Sequence, residues 1–149
     1  MLPLSQSAGY AVLALSCLED PGGEPVLVQD VAAWTGAPGP YLAKIFSTLA
    51  RAGLVVGKRG NQGGVILAKP AKEVTLDQLA EVLDSAGWRT SCLLGLEECS
   101  DERACPIHTF WKDIREKIHG ELSALTLADV ARFERERHTS LGSPGTPRP

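Results

Sequence analysis

No stretch of the chain stays apolar long enough to cross a bilayer. The longest runs from Ala11 to Cys17 and has a serine inside it, whereas a spanning helix needs about 20 apolar residues. No Lys or Arg precedes it and no small-residue cleavage motif follows, so the expectation is no secretory signal, no membrane contact and a cytoplasmic location. Also missing are an internal repeat, a Gly-rich nucleotide loop opening a helix and a nucleophile–base pair, which leaves no basis for an enzyme. Cysteine is scarce, at four in 149 residues, and in a reducing compartment those four do not make a disulfide framework. Acid is lacking over one whole window: between Asp30 and Glu73 there is none, while Lys44, Arg51, Lys58, Arg59, Lys69 and Lys72 fall there. The net charge of −3 therefore hides a basic block set against an acidic remainder, the footprint of a nucleic-acid binder.

What is present suits one globular domain or a small domain with an arm: 44% hydrophobic and 22% charged residues with near-zero mean hydropathy. Residues 5–18 have apolar positions at Tyr10, Leu13, Ala14 and Cys17, a helical period, with Ser5 or Ser7 as cap. Asp20-Pro21-Gly22-Gly23 stops that helix. A second helix is expected from Leu27 to Trp34, ending at Gly36. A third should run from Pro38 or Gly39 to Ala52, with Tyr41, Leu42, Ile45, Leu49 and Ala50 inward and Gly53 closing it. Two short helices joined by a tight turn make a helix-turn-helix. After it, Leu54–Gly57 and Val65–Ala68 read as strands flanking a glycine-rich basic loop, so the pattern predicts a winged helix. Thr75 and Gln78 form a capping box for a short helix to Ser85. Gly87 to Arg103 reads as an acidic loop, and Pro106 as the first turn of a long helix. Thr126 and Asp129 cap a short last helix, and the Gly- and Pro-rich tail from Thr139 reads as disordered.

These expectations give a mainly α fold with a small β-hairpin wing and a long C-terminal helix. Residues 1–86 make the DNA-binding domain, 87–105 the cysteine loop, 106–138 the long helix with the last short one, and 139–149 the tail.

A duplex must be met by Lys and Arg on one surface. In the third helix Lys44 is placed to reach guanine acceptors, Tyr41 to reach a phosphate or a sugar, and Arg51 to touch the backbone. In the wing, Lys58 and Arg59 stand before a glycine-rich tip that permits close approach to a narrow minor groove, with Asn61 and Gln62 beside them. The partner implied is double-stranded DNA.

The remaining chemistry lies in the run Cys92-x6-Cys99-x5-Cys105-x2-His108. Thiolates hold iron–sulfur clusters and zinc, and imidazole can complete either site. Structural zinc usually sits between closer Cys pairs, so these gaps favour a loop wrapped around an iron–sulfur cluster. Zinc and three reduced, metal-free thiols remain alternatives. Cys17, on the apolar face of the first helix, reads as core.

Taken together, Gly9-Tyr10-Ala11, Tyr41-Leu42, Leu49 through Gly53-Leu54-Val55, Arg59-Gly60-x-x-Gly63-Gly64-x-x-Leu67-Ala68, Val74-Thr75-Leu76, the three cysteines, Cys-x-x-His and Trp111 resemble the Rrf2 family of bacterial winged-helix transcription regulators. The resemblance covers roughly residues 1–132. It implies a homodimer in which the long helix crosses its partner, burying the stripe Ile107, Phe110, Trp111, Ile114, Ile118 and Leu122. It also implies a cluster on Cys92, Cys99 and Cys105 that sets DNA affinity. His108 stands where one branch of the family has its fourth ligand, while the acid another branch supplies before the first-helix tyrosine is Gly9 here. Both 2Fe–2S and 4Fe–4S clusters stay open. The expectation is a dimeric repressor sensing redox state, iron or nitric oxide, with a pseudo-palindromic operator. The alternatives are a cluster-free regulator with zinc-bound or thiol-sensing cysteines, and a small iron–sulfur electron carrier.

Overall fold

The computed structural model describes residues 4–60, 63–84, 87–95 and 98–140. Helix α1 spans Gln6–Ser16 and is capped as its sequence suggests, the Ser5 hydroxyl accepting from the Ala8 amide. Its buried positions include Ala8, Ala11, Ala14 and Leu15, while Tyr10 and Leu13 are only half-buried. The inward face is thus turned from the expected one toward small alanines, because α1 is central and must let α2, α3, α4 and α7 approach it.

Helix α2 (Val28–Thr35) ends on Gly36 at φ +69°, and α3 (Gly39–Arg51) starts three residues later. Only glycine takes that left-handed backbone without penalty, so the tight turn of the helix-turn-helix rests on Gly36. Along α3 the buried side chains are Leu42, Ile45, Phe46 and Leu49. One expectation is corrected there: Ala50 is exposed, and Phe46, which the pattern left unassigned, takes an inward place.

Strands β1 (Val55–Lys58) and β2 (Gly64–Leu67) pair antiparallel with Val55 opposite Leu67 and Lys58 opposite Gly64. Val26 and Val65 exchange backbone hydrogen bonds at 2.8 and 2.9 Å, which fastens the wing to the segment before α2. That approach needs glycine next door, since a Cβ on Gly64 would stand 2.5 Å from the Val26 carbonyl oxygen.

Helix α4 (Leu76–Asp84) opens with the expected reciprocal cap, Gln78 N–H to Thr75 Oγ1 and Thr75 N–H to Gln78 Oε1. Helix α7 (Leu127–Ser140) opens with the same arrangement between Thr126 and Asp129. The two starts are tied by Leu76 N–H to Leu125 O and Leu127 N–H to Val74 O, at 3.0 and 2.9 Å. With 14 residues, α7 is not short, and it runs through Thr139 and Ser140, which the sequence assigned to the tail; residues 141–149 lie outside the described residues.

The stretch expected to be plain loop holds a short helix α5 (Gly87–Thr90) and a 3-10 turn at Asp101–Arg103. The long helix α6 is His108–Ala124, so Pro106 precedes it rather than forming its first turn. The chain folds through a turn there, in which the Cys105 carbonyl accepts from the His108 amide at 2.9 Å.

The core lies between α1, α3, α4 and the wing. Leu15, Val31, Leu42, Leu49, Leu67, Val74, Leu79 and Leu127 are at most 1% exposed, and each such side chain contributes about 2 kcal/mol of burial. Cys17 is in this core, bonded to the Ala14 carbonyl.

Candidate functional site

The basic face comes from α3 and the wing. The inward period of α3 leaves Lys44 and Arg51 exposed, and with them Pro40, Ala43 and Ser47. A helix meets a groove through such a face, with small residues allowing close approach and cations reaching phosphates or guanine edges. Sequence reasoning missed Ala43 and Ser47, although they are the complement of the apolar period at i+3 and i+7 from Pro40. Arg51 also bonds the Thr48 hydroxyl at 3.3 Å, which holds its guanidinium near the end of α3.

Tyr41 is half-buried. Its hydroxyl bonds Ser7 Oγ at 2.5 Å and its ring stands edge-on to Tyr10, with centroids 5.8 Å apart. It therefore staples α3 to α1, in keeping with its expected inward place, through partners that the sequence did not reveal. At the wing, Lys58 and Arg59 are exposed. Asn61 and Gln62 lie outside the described residues.

The second site is a cleft of about 490 Å³ whose lining includes Cys92, Cys99 and Cys105, the thiols singled out by their spacing, and His108, which the resemblance put forward as a fourth donor. Gly95, Glu98 and Arg103 complete its wall. Cys99 Sγ stands 3.1 Å from His108 Nδ1, and the other ring nitrogen, Nε2, is 2.8 Å from Asp101 Oδ1. Lys112 Nζ reaches both oxygens of the same carboxylate at 3.0 and 3.1 Å. Hydrogen bonds from His108 and Lys112 hold the Asp101 carboxyl below the ordinary carboxylate range. Among the described residues no three His, Cys, Asp or Glu donors are gathered tightly enough to hold a single ion. Thiolates with an imidazole around one cleft are a donor set that both iron–sulfur clusters and zinc accept.

Polar contacts tie this cleft to the winged helix. The Cys99 amide donates to the Thr90 carbonyl at 2.7 Å, and Ser91 and Glu98 form a bridge pair. The Trp111 indole donates to the Ser91 carbonyl at 2.9 Å, and the Arg115 guanidinium lies 6.0 Å from the Trp111 ring centre. From the other side of α5, Arg89 forms ion pairs with Asp77 and with Glu81, the latter at 3.2 Å. Asp77 is 7% exposed on α4 and also bonds His119 Nδ1 of α6 at 2.9 Å. Burial would raise the Asp77 carboxyl, but the bonds from His119 and Arg89 outweigh it and hold the group below its ordinary value. The sequence held no signal for this junction, since its members come from three separate elements.

Along the α6 stripe, Leu122 is buried and Ile118 packs on the core, whereas Ile107, Trp111 and Ile114 are half-buried and Phe110 is 60% exposed. Among the described residues no helix is long and apolar enough to cross a membrane.

A family model described as "Iron-dependent Transcriptional regulator", Rrf2, matches residues 4–132. The chain is 35% identical over 129 residues to the HTH-type transcriptional regulator IscR of Serratia proteamaculans (strain 568), covering 85% of this chain and 77% of that protein. The solved structure of T. potens IscR superposes with a TM-score of 0.71 at 27% identity, covering 91% of this chain and 90% of the other. CymR, the global cysteine regulator of B. subtilis, shares the fold with a TM-score of 0.72 at 24% identity, over 89% of this chain and 98% of the other.

Proposed function

The chain belongs to the Rrf2 family of winged-helix transcriptional regulators, and from that premise we propose a homodimeric repressor whose operator affinity is set by an iron–sulfur cluster in the cysteine cleft. The observation that carries this reading is the gathering of Cys92, Cys99, Cys105 and His108 around one cleft, fastened by hydrogen bonds to the DNA-binding half. When bound, the cluster supplies a centre whose oxidation state or integrity answers to oxidant, iron supply or nitric oxide.

The protein's part is to convert that state into the placement of two recognition helices. Residues 91–107 are held mainly by a few polar contacts, so occupancy of the cleft changes the order of this segment at small energetic cost. The path runs from the Cys99 amide to Thr90, through Arg89 to Asp77, and from α4 to the helices it packs on, α1 and α3. The exposed Phe110, in line with Trp111 and Ile114, is the face a second copy covers. Dimerisation then sets the two α3 helices about one DNA turn apart on a pseudo-palindromic operator.

The test is an anaerobic purification, with the visible spectrum and iron, acid-labile sulfide and zinc contents read from one sample. Brown protein with matching iron and sulfide supports the reading. A colourless, zinc-loaded or metal-free protein removes the cluster and leaves the family's DNA binding in place. The specific rival is a cluster-free regulator sensing through zinc or thiols, and the contact of Cys99 Sγ with His108 Nδ1 favours it. An electron carrier has no support from a family of transcriptional regulators.

A further inference from the structure

We infer that Asp101 is the positioning residue that presents the Nδ1 lone pair of His108 to the cysteine cleft; the consequence for a bound cluster rests on the reading of His108 as a donor given above. Of the four donors lining the cleft, His108 alone has two distinct coordinating atoms, and only one tautomer leaves the cleft-facing atom free to bind. The ring is 6% exposed. Nδ1 faces the cleft, 3.1 Å from Cys99 Sγ, while Nε2 faces Asp101 Oδ1 at 2.8 Å. Asp101 meets the ring nitrogen remote from Cys99 and so stands behind the ring as seen from that thiol. A carboxylate accepts and does not donate, so Nε2 carries a proton, and in the neutral ring that leaves the lone pair on Nδ1.

The carboxylate is itself held. Lys112, one helical turn after His108 on α6, reaches both of its oxygens. His108 and Lys112 thus grip one acid from the same face of one helix, at the i and i+4 spacing that brings side chains together. A carboxylate behind a histidine ligand fixes ring orientation and raises its donor strength, and losing it typically weakens metal retention by about 10- to 100-fold. Asp101 carried no signal in the sequence, where it is one acid among several in an acidic stretch.

The test has two arms. In metal-free protein labelled with nitrogen-15 at histidine, the wild-type His108 ring should show the proton on Nε2. Asp101→Ala should lose that preference, and Asp101→Asn, whose amide oxygen still accepts, should retain it. A proton on Nδ1 in the wild type, or a tautomer that Asp101→Ala leaves unmoved, overturns the inference. In anaerobically loaded protein, Asp101→Ala should lose its cluster about tenfold faster under chelator than wild type or Asp101→Asn; equal rates overturn the effect on cluster retention. Wild-type protein that takes up no iron overturns the proposed function, whereas the tautomer still decides the role of Asp101.

Discussion

The winged-helix half and the cysteine-bearing segment are held by different forces. In the first, Leu15, Leu42, Leu49, Leu67 and Leu79, from α1, α3, β2 and α4, are at most 1% exposed and meet in a single core. In residues 91–107 the only buried side chain among the described residues is Cys92, and Leu94 is 58% exposed. That segment hangs on backbone and side-chain hydrogen bonds to Thr90, Ser91 and Asp101. Apolar burial is cooperative and insensitive to small changes in ligand. A few polar contacts are each worth about 1 kcal/mol, which a bound group can outweigh. A winged helix held by a packed core and a segment held by a few polar contacts are thus joined in one chain, and the Arg89–Asp77–His119 cluster links them.

The sharpest break in this comparison comes from the core. Leu79→Ala should cost about 3 kcal/mol of stability, measured by chemical denaturation; a loss below about 1 kcal/mol would show that α4 is not part of the cooperative unit. Next is Asp77→Ala, which removes the carboxylate that Arg89 and His119 share and should cost about 2 kcal/mol while uncoupling operator affinity from cluster state. The pH dependence sharpens this. The folded Asp77 carboxyl lies below its ordinary value of 3.8, so its stabilisation is complete above that pH and is lost as pH falls through the folded value. Asp77→Asn should therefore flatten the acid limb of the stability curve and leave the neutral limb's slope unchanged. An acid limb as steep as wild type's would remove Asp77 from the linkage.

Cys99→Ala is expected to act on the segment alone. It should abolish the visible chromophore and shift operator affinity more than tenfold, about 1.4 kcal/mol, while the denaturation midpoint of the metal-free protein stays that of wild type. Unchanged affinity would separate the cluster from the switch. The smallest effect is expected from Arg59→Ala at the wing, which should weaken operator binding modestly and lower its salt slope by about one. A titration superposing on wild type at every salt concentration would leave the wing unengaged.

Much of this organisation was legible because it is local. Ser5, Thr75 with Gln78, and Thr126 with Asp129 cap their helices over three residues, a distance at which sequence and geometry coincide. The four cleft donors were legible as well, since the chemistry of sulfur and imidazole announces itself. The faces of α1 and α3 were read less well. The choice of Ala11 over Tyr10, or Phe46 over Ala50, depends on which neighbours crowd the helix. Asp101, Asp77 and Arg89 were invisible because a carboxylate or guanidinium gains a role only from what it meets.

The sequence by itself determined the order of the elements up to α4 and of the two long helices after it, the helix-turn-helix with its glycine turn, the segregation of basic charge and the inventory of cleft donors. Each of these follows from backbone preference, hydrophobic period or side-chain chemistry acting within a few residues. Only the tertiary structure decided that Tyr41 staples α3 to α1, that one acid on α4 joins α5 to α6, and that Asp101 stands behind His108. Those facts come from residues 12 to 42 positions apart or turned toward one another across a loop. Proximity of that kind is set by the packing of whole elements, which no local pattern encodes.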